Sequence, residues 1–99
     1  MDKELGVFYV ETIEATKGKN EELRKALLTT IPHARKEKGI VSFDLYQDCE
    51  RPHLFVVLIH FKNRKAYDDH LAAPYIQEFI QKYDKILYQN VVEEFYQKQ

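Results

Sequence analysis

His70, in the stretch "NRKAYDDHLAA", stands three residues after Tyr67 and four after Ala66. On a helix those three share one face, the face expected to point toward a sheet. An inward neutral imidazole accepts or delivers a proton near pH 7. Its plainer role is a structural hydrogen bond to a backbone carbonyl or to Asp69. Glu11 is the second residue of interest, because it interrupts the otherwise apolar "VFYVETI". A buried, unpaired carboxylate is costly. Glu11 therefore lies at a solvated strand end, pairs with a lysine, or forms a second acid–base group beside His70.

Other reactive groups carry less. His33, His53, His60 and His70 form no HxH or HExxH spacing and have no accompanying carboxylate in a ligand pattern, so no metal site is expected. Three glycines without a GxGxxG or P-loop leave no phosphate cradle, and neither flavin nor NAD is expected. Cys49 sits in the polar "YQDCERPH" with nothing nearby to lower its pKa, and reads as a surface thiol.

The elements that must hold these residues follow from pattern. Residues 7–15, "VFYVETIEA", form strand one and end at the turn "TKGKN". Asn20 is a plausible N-cap for a helix in which Leu23, Leu27, Ile31 and Ala34 make one stripe, with Glu21 and Glu22 in the first turn, Lys36 and Lys38 in the last and Gly39 at the exit. Pro32 predicts a kink or break there. Residues 40–48 and 54–61 read as a hairpin, a helix opens near Asn63, Pro74 starts another helical piece, and 86–96 is a fourth strand. The order βαββαβ is the ferredoxin-like α+β pattern, a four-stranded antiparallel sheet with helices on one face.

In strand three Leu54, Phe55, Val56, Val57, Leu58 and Ile59 are apolar on both parities, and strand one behaves likewise. Phe55, Val57, Ile59 and Phe61 belong to the helix side, leaving His60 on the other. Helices cover one face only, so the other is expected to pack on a second copy's sheet as a homodimer. The whole chain, 99 residues and 44% hydrophobic, reads as one domain over 1–99. Fifteen Lys/Arg against sixteen Asp/Glu, interspersed, argue against nucleic acid as partner. "MDKELGVFYV" lacks a leader pattern and "LFVVLI" is far too short to span a bilayer. With a single cysteine, these features predict a soluble cytoplasmic protein with no membrane partner.

The succession "ATKGKNEELRKAL", "ARKEKGIVSFDLYQD" and "LFVVLIHFKNRKAYDDHLAAPYIQEF" resembles the antibiotic biosynthesis monooxygenase (ABM) domain over nearly the whole chain. The motif positions fall on Lys17 and Gly18, Arg35 and Gly39, Phe61, Ala66 and His70. The resemblance implies a dimeric α+β barrel, and relatives that oxidise quinol or anthrone-type aromatics with dioxygen and no cofactor, isomerise small phosphorylated sugars, or degrade haem. Two departures matter. Ile59 stands where many members carry glutamate, and Phe61 replaces the usual tryptophan. The positions matching the haem-degrading asparagine, tryptophan and iron-ligating histidine are Glu11, Phe61 and Ile80, so the resemblance does not extend to haem.

Through this resemblance His70 becomes the proton carrier for a phenolic or enolic substrate, whose anion reacts more readily with oxygen. Phe61, Tyr67, Ile59 and Glu11 would shape a substrate pocket between sheet and helices, with a cleft expected between His70 and Phe61. The first functional reading is a cofactor-independent monooxygenase of a small aromatic or quinol-like molecule. The alternatives are a non-catalytic dimeric binding module, favoured by the missing glutamate, and an isomerase of a small metabolite.

Overall fold

The computed structural model describes residues 6–99. Residues 1–5, part of the segment read above for a leader, lie outside the described residues. The elements are β1 (Val7–Ala15), α1 (Asn20–Ala34), β2 (Ile40–Gln47), β3 (Leu54–Phe61), α2 (Arg64–Ala72), α3 (Pro74–Tyr83) and β4 (Tyr88–Tyr96). The strands form one antiparallel sheet in the order β2-β3-β1-β4, the α+β ferredoxin-like fold. No helix among the described residues is long and apolar enough to cross a membrane.

Alternation fixes the faces of the sheet. Phe55, Val57, Ile59 and Phe61 of β3 are buried beneath the helices, and Tyr9, Ile13 and Ala15 of β1 share that side. The register places Glu11 between Val57 of β3 and Glu93 of β4 on the same inner face. The outer face carries Phe8, Val10, Val56 and Leu58, all partly exposed. At its two edges stand Tyr46 (54% exposed) and Tyr96 (52%), paired with Val56 and Phe8 respectively. His60 lies on this outer face and stacks on Phe8 with ring centroids 4.0 Å apart.

Both ends of α1 differ from expectation. Lys19, not Asn20, occupies the N-cap of α1, without a side-chain hydrogen bond. The helix passes through Pro32 and stops two residues later at Ala34, so the proline's missing donor falls in the last turn, where the helix ends in any case. Residues 35–39 are consequently a loop rather than a final turn, held by Lys36 N–H to His33 O (3.1 Å) and Glu37 N–H to Ala34 O (3.0 Å). Gly39 does not cap the helix. A Cβ there would stand 2.5 Å from Ala66 Cβ, so glycine permits α2 to rest directly on the entry to β2.

The helix α2 begins as expected at Asn63, whose side chain accepts from Ala66 N–H at 2.9 Å. Ala66 and His70 are its buried residues, which sets the inward face. Pro74 opens α3 with no cost in backbone donors.

Candidate active site

The core divides into two clusters, one around Ile13, Leu23, Leu27 and Phe55, the other around Tyr9, Phe43, Val57, Ile59 and Phe61. Between them, under the helices, lies a cavity of about 100 Å³. Val57 and Ile59 form part of its sheet-side wall; Leu27, Phe79 and Ile80 belong to its helical side. Its polar groups are His70, Tyr67, Tyr9, Glu11, Glu93, Thr30 and Tyr88.

His70 is 7% exposed. Its Nδ1 stands 2.7 Å from Glu37 Oε2, in the loop between α1 and β2, and Tyr75 at the start of α3 donates its hydroxyl to the same carboxylate oxygen. His33 of α1 stacks on Tyr75 from outside, ring centroids 5.0 Å apart. A carboxylate at Nδ1 accepts the N–H there and orients the ring. Nε2 is then the free basic nitrogen, on a ring that lines the cavity and whose second polar contact among the described residues, the Tyr75 hydroxyl at 3.4 Å, is also at Nδ1. Burial and the Glu37 carboxylate push the Tyr75 hydroxyl well above the ordinary tyrosine range, so it stays a donor. Such an arrangement accepts a proton at Nε2 while Glu37 stabilises the imidazolium that forms.

A second polar group faces the cavity across the β1–β4 register. Tyr9 donates to Glu93 Oε2 at 2.6 Å, and Glu11 is the direct strand partner of Glu93. Burial, followed by the Glu93 charge, lifts the Glu11 carboxyl from 4.5 to about 7, with the Tyr9 hydroxyl offsetting part of the rise. Tyr9 itself is driven far up by burial and by the Glu11 charge. Above this group the Arg64 guanidinium lies over Phe95 (4.3 Å) and Tyr67 (5.2 Å), a cation on an aromatic pair.

Of the residues singled out in sequence, His70, Ile59, Tyr67 and Glu11 line the one cavity. Phe61 does not. It is fully buried, its ring 5.6 Å from that of His70, so the cleft expected between these two is filled by their contact, an outcome that weighs against the enzyme reading as the sequence framed it and leaves it resting on the adjoining cavity. The cavity opens instead beside His70, over Ile59 and Val57. Glu11 finds neither a lysine nor a strand end; it is mid-strand with a glutamate opposite. The structural partner expected for His70 was a carbonyl or Asp69. Asp69 instead pairs with Lys65 at the surface (3.0 Å), and the partner is Glu37. The sequence assigns no site role to Glu37, Tyr75 or Glu93. No group of three or more His, Cys, Asp or Glu among the described residues could hold a metal ion.

Comparison with known proteins places the chain in a family. The profile described as "Antibiotic biosynthesis monooxygenase" matches residues 7–82. An uncharacterised protein of Synechocystis is 32% identical over 75 residues, 76% of this chain and 51% of its own length, so the chain spans about half of that curated relative. A Pseudomonas aeruginosa structure superposes with a TM-score of 0.92 at 24% identity, covering 100% of this chain and 99% of its own. A Shewanella oneidensis structure gives 0.89 at 25%, covering 97% and 93%. A Deinococcus radiodurans protein described as a candidate antibiotic biosynthesis monooxygenase gives 0.84 at 22%, covering 94% and 92%. With the family profile spanning more than half its length, the chain belongs to the antibiotic biosynthesis monooxygenase family.

Proposed function

We propose that the chain is a cofactor-independent monooxygenase acting on a small, single-ring, quinol-like aromatic bound between sheet and helices. The observation that carries this reading is the cavity-lining imidazole whose Nδ1 is engaged by Glu37 and whose Nε2 is free. Removing a phenolic proton is the first requirement of such a reaction, and a histidine oriented by a carboxylate is suited to it. Size narrows the substrate. A cavity of roughly 150 Å³ lined by apolar side chains takes up benzene, and this one, at about 100 Å³, suits one small ring after slight expansion and is too small for a fused tricyclic anthrone. Ile59, Tyr67 and the α3 side chains would grip the ring faces, and Glu11 would meet a polar substituent.

The apolar outer face of the sheet supports a homodimer. Phe8, Val10, Val56 and Leu58 form a continuous patch across the two central strands, which a second copy of the same face would cover. A cytoplasmic location is part of the same reading, with the exposed free Cys49 suited to a reducing compartment.

Oxygen uptake with methylhydroquinone tests the enzyme reading. Wild-type protein should consume dioxygen above the uncatalysed blank, and folded His70→Gln should be slower by roughly 10²-fold or more, since glutamine keeps a hydrogen bond but carries no proton near neutral pH. Full activity in that variant would remove His70 from the chemistry. A second reading, a non-catalytic binding module, is favoured by one feature. His70, Glu37 and Tyr75 tie α2, the loop before β2 and α3 together, which is a sufficient structural use of a buried histidine. Saturable binding of the hydroquinone without oxygen uptake would select it.

A further inference from the structure

Glu11 has no cationic partner in the cavity's lining to explain its place in the fold. It stands in the middle of β1, inner face, opposite another glutamate, and no lysine or arginine lines the cavity both border. The Glu93 charge beside it makes ionisation of the more buried Glu11 costlier. Tyr9 donates its hydroxyl to Glu93 Oε2 at 2.6 Å. The remaining titratable groups that bear on Glu11 are Tyr67 from α2 and Tyr88 from β4; both hydroxyls are raised, chiefly by burial, so both stay neutral. His70 lines the same cavity, more than nine-tenths buried, and its polar contacts among the described residues are both at Nδ1, which leaves Nε2 for a ligand. His70 packs on Phe61 of β3, whereas Glu93 belongs to β4, two strands away, about 10 Å at the usual strand spacing.

We propose that Glu11 is the proton donor of this cavity and His70, which lines the same cavity, its proton acceptor. The inference rests on the monooxygenase reading above and deepens it, assigning opposite proton duties to the two polar ends of the cavity.

The steps balance as follows. Nε2 of His70 takes the proton of one substrate hydroxyl. A ring carbon of the resulting anion bonds to dioxygen, whose outer oxygen takes the negative charge. Glu11 gives that oxygen its proton, leaving a hydroperoxide on the ring. The Glu11 carboxylate then takes the hydrogen of that ring carbon as a proton, the O–O bond breaks, and the departing hydroxide combines with the proton held by His70 to form water. Both residues return to their starting states. The hydroquinone is oxidised to a hydroxyquinone, and dioxygen is reduced, one atom entering the product and the other water.

The test separates the stored proton from the reaction. Carbon-13 NMR of side-chain carboxyls should give Glu11 a titration midpoint near 7. In Glu93→Gln, which removes the neighbouring charge but not the burial, the midpoint should fall while staying above 4.5. An ordinary carboxylate midpoint in the wild type, or a raised one that Glu93→Gln leaves unmoved, overturns the proposal even if the protein oxidises hydroquinones. With methylhydroquinone, kcat should decline as pH rises through the same midpoint, and Glu11→Gln should lower kcat about 10²-fold and abolish that alkaline limb. An alkaline limb unchanged in folded Glu11→Gln also overturns the donor role. A wild type inert toward every hydroquinone sinks the monooxygenase reading, and the donor step with it, while leaving the titration result standing.

Discussion

Glu11→Gln should make the fold more stable in mildly alkaline solution and leave it nearly unchanged in acid. The carboxyl's rise from 4.5 to about 7 comes from losing water on burial and from facing Glu93. At about 1.36 kcal/mol per pH unit, that rise sets a ceiling of roughly 3 kcal/mol. Glu11 is only half-buried, so solvent screening reduces the expected value to about 1–2 kcal/mol. The sign follows from proton binding. Between 4.5 and about 7 the folded chain holds a proton that the unfolded chain has released, so stability falls as pH rises through that window and stays low above it. Urea unfolding of wild type and variant at about pH 5 and about pH 8 measures the difference directly. The wild type should lose about 1–2 kcal/mol more than Glu11→Gln between the two conditions. Parallel losses would refute the argument that Glu11 is buried against a like charge.

Three further outcomes follow from the packing. Gly39→Ala should cost about 1–3 kcal/mol by thermal unfolding, because its Cβ would stand 2.5 Å from that of Ala66; the double variant with Ala66→Gly should recover most of the loss, and no recovery would refute the close-approach account. Sedimentation at micromolar concentration should show twice the 11.8 kDa chain mass, and Leu58→Glu on the outer face should give the single-chain mass; a wild type sedimenting as a single chain would refute the homodimer. Purified protein should show no flavin or Soret band and no stoichiometric zinc, measured by visible spectrum and elemental analysis, and either band or about one zinc per chain would overturn the cofactor-free account.

The sheet was legible because runs of β-branched and aromatic residues bounded by turn signals mark its strands, and the inner parity of β3 is buried along the whole strand. The inward side of α2 was legible for a similar reason, since Asn63 starts the helix and Ala66 and His70 fall one turn apart. What alternation could not supply was β4. Counting by twos from buried Tyr88 brings Val92 and Glu94 inside, but the register slips beside Thr12 and Ile13, and the bulge turns Glu93 and Phe95 inward instead. Glu37 was hidden differently. It lies in "RKEKG", which reads as a solvated, charged helix end, and only the early stop of α1 at Ala34 folds that segment back over His70. Phe61 shows the limit of inference by motif position. Its parity was right, yet the contact with His70 leaves no space for a ligand between the two rings.

Isotopic labelling tests most directly whether oxygen insertion takes place in this cavity through proton transfer alone. Metal-free, flavin-free protein turning over methylhydroquinone under ¹⁸O₂ should yield a hydroxyquinone with one labelled oxygen and an equal amount of labelled water, and His70→Gln should yield neither above the blank. Unlabelled quinone with labelled hydrogen peroxide, or a labelled product formed equally well by His70→Gln, would contradict it.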